Sequence, residues 1–150
     1  MDKTLLAYTA GFFDGEGCIC ATRRGCRLFI ANTRLIVLHS LRFKWSKMGH
    51  IYVWQSKKYP HHKPKYHWAI TTGEQATHFL RHIRDYLILK SRQASLALEL
   101  ISLNPGSGHR LRGAALERRN WLVDEIRSIN RKTPPAPHGD NHVSAREVPR

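Results

Sequence analysis

A chain of 150 residues is most simply one domain with room for a buried core, and its 25 Lys and Arg against 11 Asp and Glu give a formal charge of +14. An excess of this size points to a polyanionic partner, either nucleic acid or an anionic membrane surface, with a basic protein that binds neither as the plain alternative. Cys18, Cys20 and Cys26 are too few and too close together for a disulfide framework. They read as reduced, intracellular thiols; zinc is the sharper alternative, although no paired CxxC is present. No apolar run is long enough to span a membrane, and no signal peptide is expected ahead of the first helix.

The first predicted element is a helix that includes Ala7-Tyr8-Thr9-Ala10-Gly11-Phe12-Phe13-Asp14-Gly15-Glu16-Gly17. Helical spacing places Ala7, Ala10, Gly11, Asp14 and Gly15 on one nearly bald side, with Leu5, Tyr8 and Phe12 on another. Glycine inside a helix costs roughly 0.5–1 kcal/mol relative to alanine, so Gly11 and Gly15 imply a close approach to this backbone, most naturally by a second helix. Asp14 and Glu16 lie at the helix C-terminus, where the macrodipole disfavours negative charge and a nearby cation would relieve it. Hard oxygen donors and free helix-end carbonyls suit magnesium or calcium. The same residues also fit an ordinary C-cap, with Gly17 left-handed and two solvated acids.

Two short β-prone runs follow, Cys18 to Thr22 and Arg27 to Asn32, joined by a turn. Alternation turns Ile19, Ala21, Leu28 and Ile30 inward and leaves Cys18, Cys20, Thr22, Arg24, Arg27 and Phe29 on the other face, fit for a DNA groove or for ordinary solvation. A helix is predicted over 33–48, with Leu35, Leu38, Leu41 and Trp45 periodic. A second strand pair, 50–56 and 65–71, flanks a basic, proline-rich loop. Here Ile51, Val53, Tyr66, Trp68 and Ile70 alternate inward, and Tyr52, Trp54, Ser56, Lys65, His67, Ala69 and Thr71 outward. Aromatics among cations can contact bases, or Trp54 can pack beneath the loop. Helices are predicted from Gly73 through Leu87, from Lys90 through Leu103, and over a last segment carrying Leu116, Trp121, Leu122, Ile126 and Ile129. The Pro-rich stretch after Lys132 has little to bury.

The segment Thr9 to Gly17 resembles the signature of the LAGLIDADG homing endonucleases in its small, aromatic and acidic positions, Thr9 standing where the family has leucine. The resemblance implies an α+β, αββαββα fold over residues 1–132, with a four-stranded antiparallel DNA-binding saddle, extra C-terminal helices and a basic tail, 133–150. A single signature implies a homodimer through Ala7, Ala10, Gly11 and Asp14, with Asp14 structural or supporting a metal. It also implies site-specific, intron- or intein-associated cleavage of both strands of a long pseudo-palindromic double-stranded DNA, in a bacterial cytoplasm or an intron-bearing organelle. Glu16 and the Gly15 carbonyl would bind Mg2+, with Mn2+ substituting and Ca2+ binding without turnover. Lys90 would sit beside the scissile phosphate and Arg34 would order water. Without the family, Lys90 is an ordinary helix N-terminal surface lysine. The contacts to DNA would come from Cys20, Thr22, Arg24, Arg27, Phe29, Tyr52, Trp54, Ser56, Lys65, His67 and Ala69. A basic position expected near the second helix falls on Leu38, so either Arg42 substitutes or that contact is missing. The alternatives are an RNA maturase or a DNA-binding regulator on the same fold, neither of which has a use for Glu16.

Overall fold

The computed structural model describes residues 2–22, 25–55, 61–103 and 110–131. Arg24, Ser56 and the predicted tail lie outside them. The element order is α1 (Lys3–Glu16), β1 (Gly17–Thr22), β2 (Gly25–Asn32), α2 (Leu35–Lys44), β3 (His50–Trp54), β4 (Lys65–Ile70), α3 (Gly73–Ile83), a 3₁₀ turn (Arg84–Tyr86), α4 (Ser91–Ser102) and α5 (Gly113–Asn130). The αββαββα order is present, with two further helices.

The four strands form one antiparallel sheet in the order β1-β2-β4-β3. Register is set by pairs such as Gly17 with Ile30, Leu28 with Ile70, and Ile51 with Trp68. Because side chains alternate along a strand, each such row belongs wholly to one face. The inward rows carry Ile19, Ala21, Cys26, Leu28, Ile30, Trp68 and Ile70, all buried, and the helices cover them. The centre of this layer is Phe79. Phe13 meets its ring edge-on at 5.5 Å, Trp45 lies 4.7 Å away and Trp68 stands edge-on at 5.7 Å. Each of these large side chains contributes roughly 1.5–3 kcal/mol on burial.

Polar atoms in the core are matched. The Trp45 Nε1–H donates to Thr9 Oγ1 at 3.1 Å, and the Trp68 Nε1–H donates to the Met48 carbonyl at 2.8 Å. Thr9 stands where the signature has an apolar residue because here that site faces a buried indole N–H. At Gly17 a Cβ would collide with the Phe13 ring and carbonyl, so only glycine lets β1 leave α1 at this angle. Its conformation is extended (φ −84°, ψ 159°), and the left-handed C-cap fitted to the sequence does not form.

Several expectations are corrected. The seam splits: Ala10 is 0% and Asp14 9% exposed, both turned into the chain's own core, while Ala7, Gly11 and Gly15 face outward with Tyr8. The predicted helix 33–48 shortens to α2, since the Asn32 side chain accepts the Arg34 N–H at 2.8 Å and Ser46 and Lys47 turn left-handed after Trp45. The helix expected to reach Leu87 ends at Ile83. Val53 is 60% exposed because β3 is an edge strand, paired among the described residues only with β4. Along α5, Leu122, Val123 and Ile126 are buried, and Leu116, Trp121 and Ile129 are exposed.

The Thr9–Trp45 contact gives a direct test. Thr9→Val keeps the shape but leaves the indole N–H unpaired, and urea unfolding is expected to show a loss of about 1–3 kcal/mol. No loss would mean the hydrogen bond contributes nothing.

Candidate nucleic-acid interface and catalytic centre

The outward face of the sheet is built from rows fixed by register. Cys18, Phe29, Ala69 and His50 form one row; Ala31, His67 and Tyr52 the next; Cys20 faces Arg27, and Trp54 faces Lys65. Phe29 and His67 stack at 5.3 Å, and Tyr52 lies 5.1 Å from His67, with its hydroxyl 3.4 Å from Nδ1. Burial first, and then the Lys65 charge, hold the His67 imidazole below its usual value. It is therefore a neutral, stacking, hydrogen-bonding group at pH 7.

Of the expected face residues, Cys20, Thr22, Arg27, Phe29, Tyr52, Trp54, Lys65 and His67 all stand on this side, exposed or half-buried. Ala69 is also on it but is 3% exposed, flanked in register by the larger Phe29 and His50, so it offers no surface. The sequence reading passed over His50. It also passed over a signal that was available: no Asp or Glu occurs from Gly17 through Gly73, a span with eleven Lys and Arg. No carboxylate on these strands can neutralise the face, so its charge is left for an outside anion.

The second group gathers where α1 ends. The Asp14 carboxylate accepts the Ile88 N–H at 2.7 Å and the Leu89 N–H at 3.2 Å on Oδ2, and the Lys90 N–H at 2.9 Å on Oδ1. Lys90 precedes α4, where backbone N–H groups lack helical partners and a carboxylate satisfies them best. The Lys90 ammonium in turn donates to the Asp14 carbonyl. The cation that the acids at the helix end called for is thus Lys90, at the negative end of the α1 dipole. Two N–H donors remain on its Nζ.

Glu16 is exposed two residues on, as is Gly15, and Glu16 makes no hydrogen bond or ion pair among the described residues. Since Gly17 pairs with Ile30, β2 leaves the sheet at the end where Glu16 is delivered. Arg34, exposed at the start of α2, lies just beyond. Leu38 is 0% exposed and could not carry charge. The Arg42 Nε–H donates to the Gly49 carbonyl at 3.0 Å, which ties it to the turn after α2.

The cysteines divide by face. Cys18 and Cys20 share the outward side with their sulfurs 3.5 Å apart, and Cys26 is buried. The hydrogen bond with Cys18 lowers Cys20 to about 7, opposed by burial and helped by Arg27. Cys18 is raised by the same hydrogen bond and then by burial, with Lys90 pulling the other way. Cys26 is pushed up to about 12, chiefly by burial. Among the described residues, no three or more His, Cys, Asp or Glu side chains converge on a metal position, and no helix is long and apolar enough to cross a membrane.

No protein-family model and no curated protein matches the chain. Solved homing endonucleases do match in structure. I-CvuI, bound to the I-CreI target with magnesium and uncleaved DNA, is 21% identical with a TM-score of 0.69 over 89% of this chain and 87% of that one. I-CvuI on its own target with calcium is 21% identical at 0.65, over 83% and 80%. The archaeal, intron-encoded I-Vdi141I in complex with DNA is 19% identical at 0.69, over 89% of each chain. At these identities the likeness establishes the fold, which is that of the LAGLIDADG homing endonucleases.

Asp14→Ala removes the acceptor of three backbone N–H groups. The expected loss is about 3 kcal/mol in urea unfolding, with faster hydrogen exchange at the amides of Ile88, Leu89 and Lys90. Unchanged exchange at these three amides would show that the carboxylate does not hold this segment.

Proposed function

We propose that the chain is a homodimeric, magnesium-dependent, site-specific endonuclease of homing type that cuts both strands of a long pseudo-palindromic DNA duplex, inside an intron-bearing cell or organelle. The observation that carries this reading is Glu16. Among the described residues that carboxylate has no partner, yet it stands exposed at the end of the acid-free sheet, two residues from the carbonyl that holds the Lys90 ammonium. A binder of DNA or RNA would use the sheet and have no need of it.

The donor set fits a hard divalent cation: the Glu16 carboxylate and the Gly15 carbonyl are oxygen ligands. One chain supplies only one such carboxylate, so the site is complete only when a second copy brings its own. When bound, the ion would supply a more acidic water and balance charge at the phosphate. The chain's own groups do the rest. Arg27, Lys65 and the aromatic rows hold the duplex. Lys90, fixed through Asp14, presents positive charge to the phosphate without rearrangement, and Arg34 lies where it can orient water.

Support for self-association comes from the outward side of α1. A Cβ added at Gly11 or Gly15 would meet nothing within 4 Å, so nothing among the described residues explains why these positions are glycine. The exposed apolar groups Tyr8 and Ile36 line a groove of about 470 Å³ beside this strip.

Plasmid libraries of pseudo-palindromes test the activity. The wild-type chain is expected to cut with magnesium and not with calcium; Glu16→Gln is expected to abolish cutting, and Lys90→Met to lower kcat by about 10²–10³. Cutting that survives Glu16→Gln removes the mechanism, and binding without cutting leaves a regulator or maturase. For assembly, Gly11→Ala should stabilise the lone chain by about 0.5–1 kcal/mol while weakening dimerisation in sedimentation. A dimer unaffected by Gly11→Leu would place the contact elsewhere.

A further inference from the structure

The nuclease reading gives one pair of side chains surface to present but no chemistry to do. Cys18 and Cys20 lie two apart on β1, so both sulfurs leave the strand on the same outward face, in contact at 3.5 Å. Both are half-buried and reachable by a small molecule. Arg27 is the register partner of Cys20, and no Asp or Glu lies on these strands, so the surroundings favour a sulfur anion. Cys26, the remaining thiol, is on the opposite face, its sulfur 3.9 Å from the Ala97 carbonyl, and cannot reach either of the other two.

We propose that Cys18 and Cys20 form a reactive dithiol, a modification site that hydroperoxides convert to an intrachain disulfide. The Cys20 thiolate attacks one peroxide oxygen. The O–O bond breaks, leaving a sulfenic acid on Cys20 and an alkoxide or hydroxide that takes up a proton. The Cys18 sulfur then attacks the Cys20 sulfur. An S–S bond forms, the S–O bond breaks, and the oxygen departs as water with the Cys18 proton. Two thiols thereby lose two hydrogens and two electrons, and the hydroperoxide is reduced to an alcohol and water.

Cys20 is the attacking sulfur because Arg27, its register partner on β2, sets a positive charge beside it. Residues two apart on a strand have Cα atoms about 6.6–6.8 Å apart, at the upper limit of the roughly 4.4–6.8 Å that a disulfide spans. The bond therefore contracts β1 and stays open to reduction by thiols. This chemistry belongs to the free chain and does not require that it cut DNA.

The sequence makes the experiment simple, because trypsin places Cys18 and Cys20 together in Thr4–Arg23 and Cys26 alone in Gly25–Arg27. The full chain is treated with one equivalent of hydrogen peroxide, blocked with N-ethylmaleimide, digested and weighed. The expected Thr4–Arg23 peptide is unlabelled and two hydrogens lighter, and it regains two labels if dithiothreitol precedes blocking. Gly25–Arg27 keeps its single label throughout. In Cys18→Ser, dimedone should trap a sulfenic acid on Cys20; in Cys20→Ser, Cys18 should give little adduct. Oxidation of Cys26 instead, disulfides between chains, an unreactive pair, or equal dimedone yields in the two variants would each overturn the proposal.

Discussion

The structure turns on one carboxylate. Asp14, buried near the end of α1, gathers the amides of Ile88, Leu89 and Lys90, residues more than seventy positions away. A charged acceptor with three N–H donors in a half-buried setting is among the stronger polar arrangements a protein makes. It fixes the start of α4 against the end of α1, and with it the Lys90 ammonium near Glu16. β1 leaves from the same point through a glycine that Phe13 leaves no room to replace. The exposed acid, the cation and the first strand of the open sheet thus share one anchor.

That anchor also explains the uneven character of α1. Its inward positions, Leu6, Thr9, Ala10, Phe13 and Asp14, are consumed by the chain's own core. Ala10 is 0% exposed within the chain's own core, so its side chain is already covered without a partner. The outward positions Ala7, Gly11 and Gly15 are exposed, and no described residue crowds the two glycines. One helix therefore carries two kinds of smallness, one covered and one exposed.

Alternation along β1 and β2 could be read directly, since Ile19, Ala21, Leu28 and Ile30 each follow the period of a sheet with one covered face. The helix and strand order was legible for the same reason, as were the signature residues. What could not be read depends on partners distant in sequence. Nothing near Asp14 announces the amides at 88–90, and a helical wheel cannot tell Ala10 from Ala7 without knowing where the core lies. Val53 follows the inward pattern, yet edge strand β3 leaves it exposed; Ala69 follows the outward pattern, yet its larger row neighbours enclose it. Of the expected site, Glu16 lies two residues from the carbonyl that holds Lys90, the described strand residues share one face, and Arg34 stands at the same end of the sheet. The metal, the second copy and the duplex belong to assemblies that one chain does not contain.

The absence of acids from Gly17 through Gly73 bears on more than recognition. Arg27 and Lys65 stand on the strands with no acid among them, and like charges held on one folded face repel one another. A polyanion laid across the sheet cancels that repulsion, and whatever binds only the folded form raises its apparent stability by mass action. Heat resistance at low ionic strength should therefore rise with occupancy of the face, making the melting point a gauge of how fully its charge is neutralised.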